Sequence, residues 1–224
     1  MTELDSTLSK WTGWLAVIRG GVRELVIAKD IFQKVQRLIE NNPALHRHNP
    51  FYQYLSNTYV SHAVIELRRQ SNSKSPGISM ARLFEEMIER PQVLTRAYYV
   101  SLYEDSAIKD LADSHFNRFA APGESHIDPL LVKADLTRLQ DASKRCEAFA
   151  DKRVAHRNTT PPKELPTFDD VNACIDLLND LYIRYCLLFH ACNVETLLPI
   201  DEGDWEEIFR IPWIPAKSRI TAFS

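Results

Sequence analysis

The chain has 224 residues, 45% hydrophobic and 25% charged, with a formal net charge of −3. That balance is ordinary for one folded globular domain and excludes a disordered, collagen-like or disulfide-scaffold chain. Only 6 residues are glycine, too few positive-φ turns for a hairpin-rich all-β protein, and the slight negative charge means that any contact with a polyanion must be local.

Proline placement divides the chain, because proline breaks a helix interior. A first proline-free stretch runs from Glu3 to Asn41. Leu25, Ala28, Phe32, Val35 and Leu38/Ile39 recur in it at helical spacing, and Gly20–Gly21 is a point where the helix splits or kinks. The spacing predicts an N-terminal helical segment over 1–20 and a helix over 22–41. Asn49-Pro50 then starts a helix over 50–71, with Phe51, Leu55, Tyr59, Ala63 and Leu67 as its stripe and His62 as a partly buried packing residue. After the loop Ser71–Gly77, Ser79 caps a short helix over 79–89 with Met80, Leu83, Phe84 and Met87 on one face. One or two helical turns are expected between Pro91 and Glu104, and a helix over 107–119.

Pro129 opens the next long helix, predicted over 129–157, with Val132, Leu136, Leu139, Cys146 and Phe149 on its buried face. Asn158-Thr159-Thr160-Pro161-Pro162 stops it. Thr167-Phe168-Asp169-Asp170 resembles a capping box and starts a helix over 167–194 with Val171, Cys174, Leu178, Leu181, Tyr185, Leu188 and Cys192 as its stripe. The segment 195–224 reads as a tail: one helical turn near Trp205, then an extended end whose aromatics dock on the bundle. Its stretch Glu195–Glu207 has six acids and no Lys or Arg, either a solvated segment or a cover for a basic patch. With no internal repeat and no alternating strand–helix pattern, the fold class is all-α: a single-domain up-and-down helical bundle with extra short helices.

No apolar run approaches the ~20 residues that cross a bilayer. The polar, acidic N-terminus lacks a secretory leader's pattern, so a cytoplasmic location is expected. The four cysteines (146, 174, 186 and 192) all lie in the second half and are read as reduced and buried. Cys186 and His190 are four apart, but Cys192 falls on another side of a continuous helix, and His46-x-His48 has no third ligand, so no metal site is predicted. No HExxH, GxSxG, phosphate-binding glycine loop or dinucleotide fingerprint occurs.

The stretch most able to carry chemistry is Ala150-Asp151-Lys152-Arg153-Val154-Ala155-His156-Arg157-Asn158. Between 144 and 157 there are five Lys or Arg against two acids. Lys152 and Arg153 share a helical face with His156. One reading is C-terminal cations favoured by the helix dipole, beside a semi-buried histidine. The other is a phosphodiester site, since an Arg fork holds phosphate oxygens and a His titrating near 6.5 moves the proton of an attacking hydroxyl. Arg68 and Arg69, closing the helix over 50–71, either add to such a patch or are a solvated helix end.

DKRVAHRN resembles the RNKxxAHxD-type signature of the HEPN superfamily, small helical bundles that include many prokaryotic defence ribonucleases. More closely, the chain resembles AbiU-type abortive-infection proteins. The stretches Asn49-Pro50-Phe51-Tyr52 to Ile65-Glu66-Leu67-Arg68-Arg69, Ile78–Phe84 with Arg90–Arg96, and Trp205–Trp213 extend the likeness over roughly 20–215. The resemblance implies a HEPN-like bundle, a homodimer paired through the His156 face, and a phage-defence, abortive-infection or toxin role, with RNA and an antitoxin protein as partners and no cofactor. It implies metal-independent RNA cleavage with His156 as acid/base, Arg153 as phosphate clamp and Asp151 orienting His156. Arg145, Lys152, Arg157, Asn158, Arg68 and Arg69 would contact the nucleic acid. The family's arginine, six before the histidine, falls on Ala150 here. Arg145 is eleven residues before His156, about 16 Å along a helix, so a clamp would need Arg153 of one subunit to face His156 of the partner subunit. The alternative is a catalytically degenerate module that binds RNA or a protein through a dimeric basic groove.

Overall fold

In the computed structural model, which describes residues 2–149, 166–199 and 205–211, the proline-free stretches are helices. They are α1 (Glu3–Glu40), α2 (Pro50–Ser71), α3 (Met80–Glu89), α4 (Arg96–Ser101), α5 (Lys109–Phe116), α6 (Pro129–Phe149) and α7 (Phe168–His190). Short 3-10 turns lie at Pro43–Leu45, Pro91–Val93 and Trp205–Arg210. Strand pairing among the described residues is confined to one antiparallel bridge between Thr95 and His126.

α1, α2, α6 and α7 form an up-down-up-down ring in which α1 meets α2 and α7, and α6 meets α2 and α7. Side-chain pairs fix the directions. Phe32 stacks on Tyr59 while Gly21 lies against Glu66, so α2 runs antiparallel to α1. Lys29 pairs with Asp176 and Arg145 with Asp170, while Tyr185 reaches Asp135. α7 therefore runs antiparallel to both α1 and α6. α3 packs on α6 and α1, and α4 on α5.

The core runs the length of this ring through Trp11, Leu15, Ile18, Val22 and Leu25 of α1, Leu67 of α2, Phe84 of α3, Leu139 of α6 and Leu178 of α7, all fully buried. Gln70, Trp11 and Asp135 are hydrogen-bonded within it. Gln70 donates to Glu66 at 2.8 Å and accepts the Met80 amide at 3.0 Å, tying α2 to the start of α3. Trp11 donates its indole N–H to Glu86 at 2.7 Å. Asp135 accepts from Tyr185 at 3.1 Å and pairs with Arg138 and Arg184 at 3.2 Å each.

Several sequence expectations change. α1 passes through Gly20–Gly21 without a break, because tertiary packing holds it there. A Cβ on Gly21 would sit 2.1 Å from Glu66 Oε1 and 2.6 Å from Arg69 Nη2, so glycine serves a close approach of α2, not a kink. The buried stripe Trp11, Leu15, Ile18 runs on into Val22 and Leu25, which joins the N-terminal segment and the helix expected from residue 22 into one. α7 stops at His190, four residues early, because Ala191 takes the left-handed conformation (φ 52°, ψ 23°) and returns its N–H to Leu187 O. Tyr98 also captures the Phe189 carbonyl at 2.8 Å. His62 is exposed, as is Cys192, while Cys146, Cys174 and Cys186 are buried thiols. Phe149 is half-buried. The end of the expected 129–157 helix, from 150 on, lies outside the described residues.

Arg96 organises the inserted α4–α5 region. It donates to the carbonyls of Glu124 and Asp113 at 2.7 Å and of Ala121 at 3.1 Å, and to Asn117 Oδ1 at 2.9 Å. Its guanidinium lies 4.7 Å from the centre of the Phe116 ring.

Candidate nucleic-acid interface

The sequence directs attention to the junction between α6 and α7. Because the two helices are antiparallel neighbours, Phe149 and Pro166 leave the bundle at the same end. Asp151, Lys152, Arg153, His156, Arg157 and Asn158 all fall between them and lie outside the described residues.

The base of the junction is rigid. Thr167 caps α7 reciprocally with Asp170: its hydroxyl accepts the Asp170 amide at 3.1 Å, and Asp170 accepts the Thr167 amide at 2.9 Å. Arg145 Nη1 reaches both Asp170 oxygens at 3.0 Å, locking the last turns of α6 to the first turn of α7. The Thr167 amide and hydroxyl, reinforced by Arg145, hold the Asp170 carboxyl below the usual carboxylate range. Beneath, Tyr59 stacks on Phe32 with centroids 4.2 Å apart, and Phe168 closes on Phe32 at 5.1 Å. The Tyr59 hydroxyl donates to Asn172 Oδ1 at 2.5 Å. Burial, with the Asp176 carboxylate and Cys146 adding to it, pushes the Tyr59 phenol up, so it stays neutral at physiological pH.

Three cations in the described part of this end are paired with carboxylates. Lys29 pairs with Asp176, Lys144 with Asp141 at 2.6 Å, and Arg145 with Asp170. The cationic surplus visible in the sequence therefore rests on Lys152, Arg153 and Arg157. Arg69 pairs with Glu66 at 2.6 Å. It is ten residues beyond Tyr59, about 15 Å down α2 from the junction, and the half-buried Arg68 is beside it. The structure brings Arg145 to the junction and leaves Arg68 and Arg69 away from it.

A second feature lies beyond the junction. α1 continues eight residues past Phe32, about 12 Å, so the elbow between α1 and α2 projects beyond the start of α7. Trp205, Ile208, Phe209 and Ile211 face Val35, Leu38, Phe51 and Leu55 across a groove of about 970 Å³, with Lys34 5.9 Å from the Trp205 ring centre. The described tail thus meets the bundle at the elbow. The extended end expected to dock on the bundle lies, from 212 on, outside the described residues.

Among the described residues no group of three His, Cys, Asp or Glu side chains is placed to hold a metal ion, and no helix is long and apolar enough to cross a membrane. His46 instead bonds to the Glu40 carbonyl at 3.0 Å. No protein-family model, curated protein or solved structure matches the chain.

Proposed function

We propose that this chain is a HEPN-like protein of the phage-defence, abortive-infection or toxin type that binds RNA at the α6–α7 junction. The observation that carries the reading is the antiparallel α6–α7 pair. It places both ends of a Lys/Arg/His-rich stretch at one end of the bundle, on a base fixed by Arg145, Asp170 and the Phe32–Tyr59–Phe168 stack. Lys152, Arg153, Arg157 and Asn158 would meet the phosphate backbone, and pairing of two chains through this face would double the charge. The partner is RNA, with an antitoxin protein as a competitor for the same face.

Cleavage is the second reading. His156 would move the proton of the attacking 2′-hydroxyl, Arg153 would hold the phosphate and Asp151 would orient His156. What favours binding over cleavage is arginine supply. Ala150 holds the position of the motif arginine, and Arg145 is engaged by a carboxylate at 3.0 Å.

The test is RNA incubated with wild type and His156→Ala in excess chelator, with binding followed by filter retention across a salt series. The expected result is binding whose affinity falls steeply with salt in both proteins, weakened by Lys152→Ala/Arg153→Ala and without cleavage. Chelator-resistant cleavage lost in His156→Ala would establish the enzyme, and salt-insensitive or absent binding would sink both readings.

A further inference from the structure

Phe168 opens α7 with an aromatic ring that is only half enclosed. On its inner side the ring centre lies 5.1 Å from that of Phe32, tilted by 40°, and 6.5 Å from that of Tyr59, at 30°. The residue nonetheless stays 41% exposed, leaving in water apolar area that burial would reward. The ring is also held in place. Thr167 and Asp170 fix the backbone on either side of it through their reciprocal cap. Behind it Phe32 and Tyr59 stack at 4.2 Å with planes 10° apart, and the Tyr59 hydroxyl donates to Asn172, one turn further along α7. A ring so placed loses little freedom when something flat packs on it. Its surroundings carry cations. Lys144 and Arg145 are exposed on the last turns of α6, and Arg145 bonds Asp170, two residues from Phe168. Lys152, Arg153 and Arg157 lie in the sequence between the same two helix ends.

We infer that Phe168 is a stacking platform for an unpaired base, which makes the α6–α7 junction a site for single-stranded RNA. The inference rests on the RNA-binding reading above and adds to it the kind of RNA and a residue outside the cationic stretch. A rigid, part-exposed ring beside a cationic path suits a single strand. The cations follow the phosphates, and every base offers a π-face to an aromatic ring whatever its sequence. A paired base keeps its faces inside the helical stack and shows only its edges in the grooves, so a duplex has nothing to lay on Phe168. Stacking uses no hydrogen bond to a base edge, so the platform discriminates by strandedness and not by sequence. Phe168 supplies affinity that salt leaves alone, while the cations supply the part that falls with salt.

The test follows the fluorescence anisotropy of a labelled RNA strand of about 12 nucleotides, free of self-complementarity, and of the same strand annealed to its complement. Wild type should bind the single strand about tenfold more tightly than the duplex. Phe168→Leu, which keeps an apolar group against Phe32, should lose about tenfold in single-strand affinity. That loss should be the same at every salt concentration, with the slope of log affinity on log salt unchanged and duplex binding as in wild type. A strand carrying one 2-aminopurine between uridines reads the stacking directly. Its fluorescence should fall on binding to wild type and to Phe168→Trp, and not on binding to Phe168→Leu. If Phe168→Leu fails to fold, the quench by wild type and Phe168→Trp decides, and its absence overturns the platform. Salt-dependent RNA binding that is equal in wild type and Phe168→Leu, or that prefers the duplex, would overturn the platform and leave the RNA-binding reading standing. No RNA binding by wild type would overturn both.

Discussion

Gly20 and Gly21 are adjacent, identical and opposite in consequence. Nothing lies within 4 Å of a Cβ built on Gly20, and the residue is exposed in mid-helix. Gly20→Ala should therefore raise stability by about 0.5–1 kcal/mol, the ordinary gain of alanine over glycine in a helix. Gly21 has the same helical gain available, but the new methyl would collide with the Glu66 carboxylate. Glu66 would have to swing off Gln70 and Arg69, which it bonds at 2.8 and 2.6 Å. Gly21→Ala should then fall at or below wild type. Urea midpoints of the two variants measure the difference, and equal stabilisation by both would mean that α2 does not press on α1 at this point. Spacing alone marks both glycines as breakers; only the facing helix separates them.

At the scale of the helix, the start of α7 is where a cap, an ion pair and a titrating group coincide. Thr167→Ala removes the hydroxyl that accepts the Asp170 amide, and caps of this kind contribute about 1 kcal/mol. Asp170 is an acid whose folded value lies below its unfolded one. Its contribution is therefore present above the ordinary carboxylate value of about 3.9 and is lost as pH falls through the folded value. Asp170→Asn should lower the urea midpoint at neutral pH, and the gap to wild type should narrow as pH falls below the ordinary carboxylate range. A gap constant with pH would show that the carboxylate charge has no part in the cap.

Most of the helices were readable from punctuation and period. Pro50, Ser79, Pro129 and Thr167 mark starts that the structure keeps, and the all-α class follows from them. What could not be read depends on neighbours in space. Tyr98 and a left-handed alanine end α7 without any glycine to announce it. Asp170 claims Arg145, a pairing across 25 residues that no local pattern shows. His62 sits one residue before the buried Ala63, and only the orientation of α2 decides that it faces outward. The chemistry-bearing stretch around His156 was legible as a composition of cations and imidazole; its geometry lies outside the described residues.

At the scale of the whole molecule, the four long helices share one core, to which the inserted α4–α5 region contributes Tyr99, Phe116 and Phe119 while its loops are tied by a different kind of connection. There, one guanidinium gathers the carbonyls of Asp113, Ala121 and Glu124, groups that no helix or sheet ladder serves. Replacing it with leucine removes a donor from all three oxygens; Ala121 O keeps another hydrogen bond, from the Glu124 amide at 3.1 Å. Arg96→Leu should accelerate amide exchange at least tenfold across 109–127, with the amides of α1 and α7 unchanged, as expected for a segment that opens separately from the global transition. Uniform acceleration throughout would show one indivisible cooperative unit. Among the described residues the molecule therefore carries a seam: once Arg96 is replaced, mild heat or a trace of protease would cut the chain threaded around that position before it cuts the described turns of the four-helix ring.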